Sequence, residues 1–187
     1  MMKDISTHIL DIVQNSVSAG ASIIDIQVVL NPKEDILTVT IEDNGCGMDK
    51  EKALSATDPF MTGRKTRKVG LGIPFFQASA LQCGGSFDLE STPQIGTAIR
   101  AVFRLSHIDT PPLGDIAATV FALVIPNTSI EFRFVYTNCD KSYRFDTREI
   151  KTVLGEEIPL SLHEVMQWIH DDLYRGIEEI SGGVQQS

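Results

Sequence analysis

The sequence has little of several things that narrow a protein's class. Its 187 residues hold three cysteines, Cys46, Cys83 and Cys139, an odd and scattered set with no C-x-x-C pair. That excludes a disulfide framework and leaves no Cys/His cluster for zinc. One tryptophan and three tyrosines are present. No apolar run approaches the ~20 residues that span a bilayer, and the charged start at Lys3-Asp4 lacks a signal-peptide apolar core. Basic charge is scarce: 16 Lys and Arg against 25 Asp and Glu give a net charge of −9. The expectations are a cytoplasmic protein that binds neither nucleic acid nor a membrane. Hydrophobic content of 42% and charged content of 22% suit a soluble globular chain long enough to bury a core.

What is present alternates between two periodicities. Residues 4–19 are helical in pattern, with Gly20 as the stop. At ~100° per residue, Ile5, Ile9, Ile12, Val13 and Val17 share an arc, with His8, Asp11, Asn15 and Ser18 opposite, toward solvent or a ligand. Residues 22–30 and 35–43 read as strands joined by Asn31-Pro32-Lys33-Glu34. A short helix near 49–57 and a polar, basic segment at 58–69 follow. Residues 70–83 read as a glycine-rich loop feeding a helix, with Pro74 in its first turn and Gly84-Gly85 as the stop. A hairpin over 86–105 turns at Thr92-Pro93-Gln94. The composition shifts at 106–114, dividing the chain into 1–107 and a small α+β extension, 108–187. Within the extension, 115–125 suits helix or strand, a hairpin turns at Asn138-Cys139-Asp140, and two helices close the chain, the second capped at Ser161 with Glu164.

Three separated elements carry possible chemistry. Asp11 and Asn15, four apart, stack on one helical face. Asp43-Asn44-Gly45-Cys46-Gly47-Met48 ends a strand, where Asn-Gly alone would be a hairpin turn. A carboxylate at Asp43 accepts hydrogen bonds only, so it pairs with an exocyclic amine such as adenine N6 and repels the guanine carbonyl. Gly45 and Gly47 let a flat base approach the backbone, and Met48 offers an adaptable apolar wall. Gly70-x-Gly72 at a helix entrance offers N–H groups to phosphates, with Lys65 and Arg67 in reach of the terminal one. The Asn15 carbonyl suits Mg²⁺, and Asp11 could orient or deprotonate an attacking group. There is no G-x-x-x-x-G-K-[ST], so a P-loop is unsupported.

The order of these elements, "DIVQNSVSAGAS", "DNGCGM", "DPFMTGRKT", "VGLGI" and "GTAIRAVF", resembles the GHKL ATPase superfamily over about residues 5–105. The first two are most similar to mismatch-repair ATPases and the later ones to histidine-kinase catalytic domains. The resemblance implies an α+β, two-layer α/β sandwich, the Bergerat fold, binding ATP and Mg²⁺. It implies that Asn15 holds magnesium, Asp43 reads adenine, and Gly45 and Gly47 shape that pocket. Gly70 and Gly72 would contact phosphates, Thr97 would support Asp43, and the basic loop would be the ATP lid. Asp11 stands where hydrolysing members place Glu. One methylene less moves the carboxylate on the order of 1.5 Å, which can cost ~10²-fold in rate. The expectation is that no dimerisation helix bearing a phospho-acceptor His precedes the domain. The expectation is a stand-alone kinase-like or anti-sigma-like regulator that phosphorylates a protein partner. A non-catalytic ATP switch and a slow ATPase that remodels a partner are the alternatives. Residues 106–187 could dock a partner or form a homodimer.

Overall fold

A computed structural model describes residues 4–58, 71–155 and 158–181. One six-stranded sheet, in the order β3-β4-β2-β1-β5-β6, runs through the molecule. Its strands are β1 (Ile23–Asn31), β2 (Ile36–Asp43), β3 (Ser86–Thr92), β4 (Gly96–Arg104), β5 (Glu131–Asn138) and β6 (Lys141–Asp146). All neighbours are antiparallel except β1 and β5.

Alternation along each strand creates one buried face. Phe134, Ile26, Ile41 and Ile99 form a row across four strands, each the register partner of the next. All four are essentially inaccessible to solvent. The strand edges at 22–23 and 43–44 are tied together by Asn44, whose Oδ1 accepts the N–H groups of Ser22 and Ile23 at 2.8 and 2.9 Å.

Four helices are in contact in series: α3 (Gly72–Gln82) with α1 (Ile5–Ser18), α1 with α4 (Ile116–Val124), and α4 with α6 (His163–Ser181). The result is the expected two-layer sandwich. Two shorter helices, α2 (Lys50–Ala56) and α5 (Thr147–Leu154), contact β3 and β5. In α1 the carboxylate of Asp4 accepts the Thr7 N–H at 2.8 Å, a side-chain N-cap.

The ambiguous segment at 115–125 is helical. Asp115 caps it by accepting the Ala118 N–H at 2.8 Å, and Tyr174 of α6 donates to the same carboxylate at 2.7 Å. Its β-branched residues reflect burial, because Ile116, Val120 and Val124 are buried on a helix that contacts both α1 and α6. Residues 106–114 lie against α1, where Ile5 and Ser6 donate backbone N–H groups to the carbonyls of Pro112 and Leu113. Beyond them β5 adds to β1 over eight paired residues, so the extension continues the sheet.

Candidate functional site

Helix α1 meets the end of β2 through one side-chain contact. Ser16 donates its hydroxyl to Oδ2 of Asp43 at 2.6 Å, and Gly45 donates its N–H to Oδ1 at 2.8 Å. Each carboxylate oxygen has one donor and therefore keeps acceptor capacity, and Asp43 is half-buried with a face still open.

The loop after Asp43 does not turn back as a hairpin but runs on to α2, and it is clamped on both sides. The Cys46 N–H donates to the Ala19 carbonyl at 3.0 Å, and the Cys46 carbonyl accepts from Gln94 at 2.8 Å. A Cβ on Gly45 would stand 2.9 Å from Asp43 Oδ1 and 3.0 Å from Ala19 Cβ. Gly47 has φ of 62°, and a Cβ there would fall 2.0 Å from the Thr92 carbonyl oxygen. The turn is therefore held against the β3–β4 hairpin in a shape only glycine takes without strain.

Thr97 is the register partner of Asp43. Its hydroxyl is 2.9 Å from that of Ser91, and Ser91 also accepts the Met48 N–H at 2.8 Å. Asp43, Thr97 and Met48 are thus held in one neighbourhood by β2, β4 and a serine of β3. Met48 is half-buried against the core, and the Cys46 side chain is exposed.

On the same helix, Asp11 and Asn15 face the start of α3. A Cβ added to Gly72 would lie 3.1 Å from Asp11 Cβ and 3.8 Å from Asn15 Nδ2. Helix α3 begins there with no side-chain cap, so its first N–H groups are not satisfied in the usual way. Burial alone pushes the Asp11 carboxyl above the usual range. Asn15 makes no side-chain hydrogen bond to a described residue. Lys65, Arg67 and Gly70, the cationic and glycine positions of the expected lid, lie outside the described residues.

His8 departs from the polar stripe on which the periodicity puts it. It is 3% exposed and stacks on Phe76 of α3 at 5.1 Å between ring centroids. Its Nδ1 has no hydrogen-bond partner among the described residues, and burial pushes its pKa down to about 4. Ser16 and Ser91 escape sequence reasoning. For Ser16 a signal exists: at about 80° from His8 on the helical wheel it lies inside the apolar arc, where a hydroxyl needs a buried partner.

Residues 3–107 match the family model described as "Histidine kinase-, DNA gyrase B-, and HSP90-like ATPase". The chain belongs to this family. It is 32% identical over 107 residues to a putative sensor protein of Shewanella frigidimarina, a match covering 54% of this chain and 16% of that protein. The chain thus spans about a sixth of that relative's length. Among solved structures, it is similar to the Aquifex aeolicus MutL ATPase domain complexed with ADP, with a TM-score of 0.50 and 10% identity over the whole of both chains. It is also similar to the N-terminal domain of a DNA repair protein, with a TM-score of 0.51 and 16% identity over 83% of this chain and 58% of the other. Both structural likenesses are of fold. No helix among the described residues is long and apolar enough to cross a membrane.

Proposed function

We propose that residues 1–107 bind Mg·ATP between the Asp43 cluster and the start of α3, and that the chain acts as a kinase-like regulator of a protein partner. One observation carries the reading. The adjacent residues Asn15 and Ser16 point two ways, Ser16 to the Asp43 carboxylate and Asn15 toward the uncapped N-terminus of α3. A single helical turn thereby couples a base-reading acceptor to a phosphate-binding helix end. Family membership and the ADP complex of the MutL neighbour support the same ligand class.

In this reading Asp43 accepts from the adenine amine, Gly45 and Gly47 admit the ring, Met48 covers it and Thr97 supports Asp43. Gly70 and Gly72 meet phosphate oxygens, and Lys65 reaches the terminal one. Mg²⁺ fits the donor set, because an ion that keeps most of its waters needs little more than the Asn15 oxygen and the substrate phosphates. When bound, that ion neutralises charge on the phosphates. The chain's own residues orient the nucleotide, and Asp11 accepts the proton of the attacking Ser or His side chain of the partner.

A second reading, a non-catalytic ATP switch, is favoured by aspartate rather than glutamate at position 11. A slow ATPase is the third. Mg·ATP should raise the melting temperature of the purified chain, and Asp43→Asn should abolish that rise. If neither holds, the nucleotide reading fails. With labelled ATP and a co-purified partner, label on the partner supports the kinase, free phosphate the ATPase, and neither the switch.

A further inference from the structure

Helices α5 and α6 of the extension enclose a cavity lined by no residue of the nucleotide site. It is a groove of about 600 Å³ between α5 and α6, floored by Phe145 of β6. Along α5 the apolar residues Ile150, Val153 and Leu154 follow i, i+3, i+4 spacing and all line it. Only Thr147 of this helix is buried, and Val153 is 86% exposed. Ile150 and Leu154 pack only partly against the core, so the apolar stripe of this amphipathic helix is left partly uncovered. The facing wall is Val165 and Trp168 of α6, and Trp168 is 51% exposed.

The charged residues that line it are mostly negative. Asp172 is engaged by Tyr143 and Arg175, and Asp146 caps α5. Glu149 on one wall and Glu164 on the other are exposed and have no ion pair among the described residues. Arg144 is the one basic lining residue. Small-molecule pockets place a few polar groups convergently inside, whereas here the interior is apolar and the carboxylates flank it.

We propose that this groove docks an amphipathic helix of a partner protein, with apolar anchors at i, i+3/i+4 and i+7 and basic residues on its flanks. The anchors fill the space above Phe145 between Val153 and Trp168, and the flanking cations face Glu149 and Glu164. The surface is independent of nucleotide binding at the Asp43 site.

Trp168 is the only tryptophan, so its fluorescence reports occupancy directly. The full chain is titrated with a synthetic leucine/lysine helix and, separately, with its leucine/glutamate twin. The expected result is a blue shift with the lysine peptide, saturating in the micromolar range, and none with its twin. The double variant Glu149→Gln/Glu164→Gln and the variant Val153→Asp should each weaken binding at least tenfold while remaining folded by circular dichroism, since all three side chains are exposed. Equal affinity for parent and variants, or binding of both peptides alike, overturns the proposal. So does sedimentation showing a dimer that Val153→Asp dissolves, because a second copy would then cover the groove. The Mg·ATP thermal shift should be the same in all variants, which separates failure here from failure of the nucleotide reading.

Discussion

The Ser16 hydroxyl donates to Asp43 Oδ2 at 2.6 Å, joining residues 27 apart in sequence and linking α1 to the last residue of β2. The contact fixes the direction in which the Asp43 carboxylate presents its remaining lone pairs. A hydrogen bond to a charged group contributes about 1.5–3 kcal/mol, and half-burial of Asp43 puts this one at the lower end. Ser16→Ala should therefore lower unfolding free energy by about 1–2 kcal/mol and weaken nucleotide binding several-fold. Asp43→Asn should abolish nucleotide binding. Denaturant melts and nucleotide titrations of the two variants check both, and unchanged affinity in Ser16→Ala would remove the serine's positioning role.

Gly47 tests the clamp between the Asp43 loop and the β3–β4 hairpin. Its positive φ and the 2.0 Å approach of a built Cβ to the Thr92 carbonyl both oppose a side chain. Gly47→Ala should cost about 3 kcal/mol or more, since the clash adds to the ~1–3 kcal/mol of backbone strain. Gly45→Ala meets a neighbour at 2.9 Å and should cost less in stability while distorting the Asp43 site. Thermal melts paired with nucleotide titration should show the two variants in opposite order.

His8 should make stability fall as pH falls. Its pKa is about 6.5 unfolded and pushed down to about 4 folded, so between those values the unfolded chain binds a proton that the folded chain does not. Stability is therefore full above pH 6.5 and declines toward pH 4, by on the order of 3 kcal/mol at most. Asp11 runs the other way. Burial raises its pKa, so its ionised form destabilises the fold above the carboxylate range, and that penalty is relieved as pH falls. Chemical melts across pH 4–7 should show the decline in the parent chain and a shallower slope in His8→Leu.

Gly176 sits in the interior of α6, where alanine is the better helix former by about 1 kcal/mol. Here the substitution should destabilise, because a Cβ would lie 2.1 Å from the Tyr143 ring. That ring is held by its hydroxyl donating to Asp172 at 2.7 Å, the contact that seats α6 on β6. Gly176→Ala should cost about 2–4 kcal/mol, in the overpacking range and above. A neutral or stabilising result would mean the two elements separate at little cost.

Much of the architecture was legible from local pattern. Period-2 burial in β1, β2 and β4 and the positions of α1 and α3 follow from side-chain spacing and turn chemistry, which act over a few residues. The candidate-site positions Asp11, Asn15, Asp43, Gly45 and Gly72 were also visible in the sequence. Their assembly was not, since it depends on α1 crossing the end of β2 and on α3 starting beside Asp11. Residues 115–125 could not be resolved locally, because a helix packed on two sides loses the one-sided periodicity that marks it. His8 fell on the polar side of the wheel by angle, yet Phe76, 68 residues later, buries it. Ser16 fell on the apolar side, and only β2 supplies its partner. Sequence alone determined which elements form and which residues carry charge or hydrogen-bonding capacity. Tertiary structure decided which of those groups meet, because strand register and helix packing join residues that local propensity never relates.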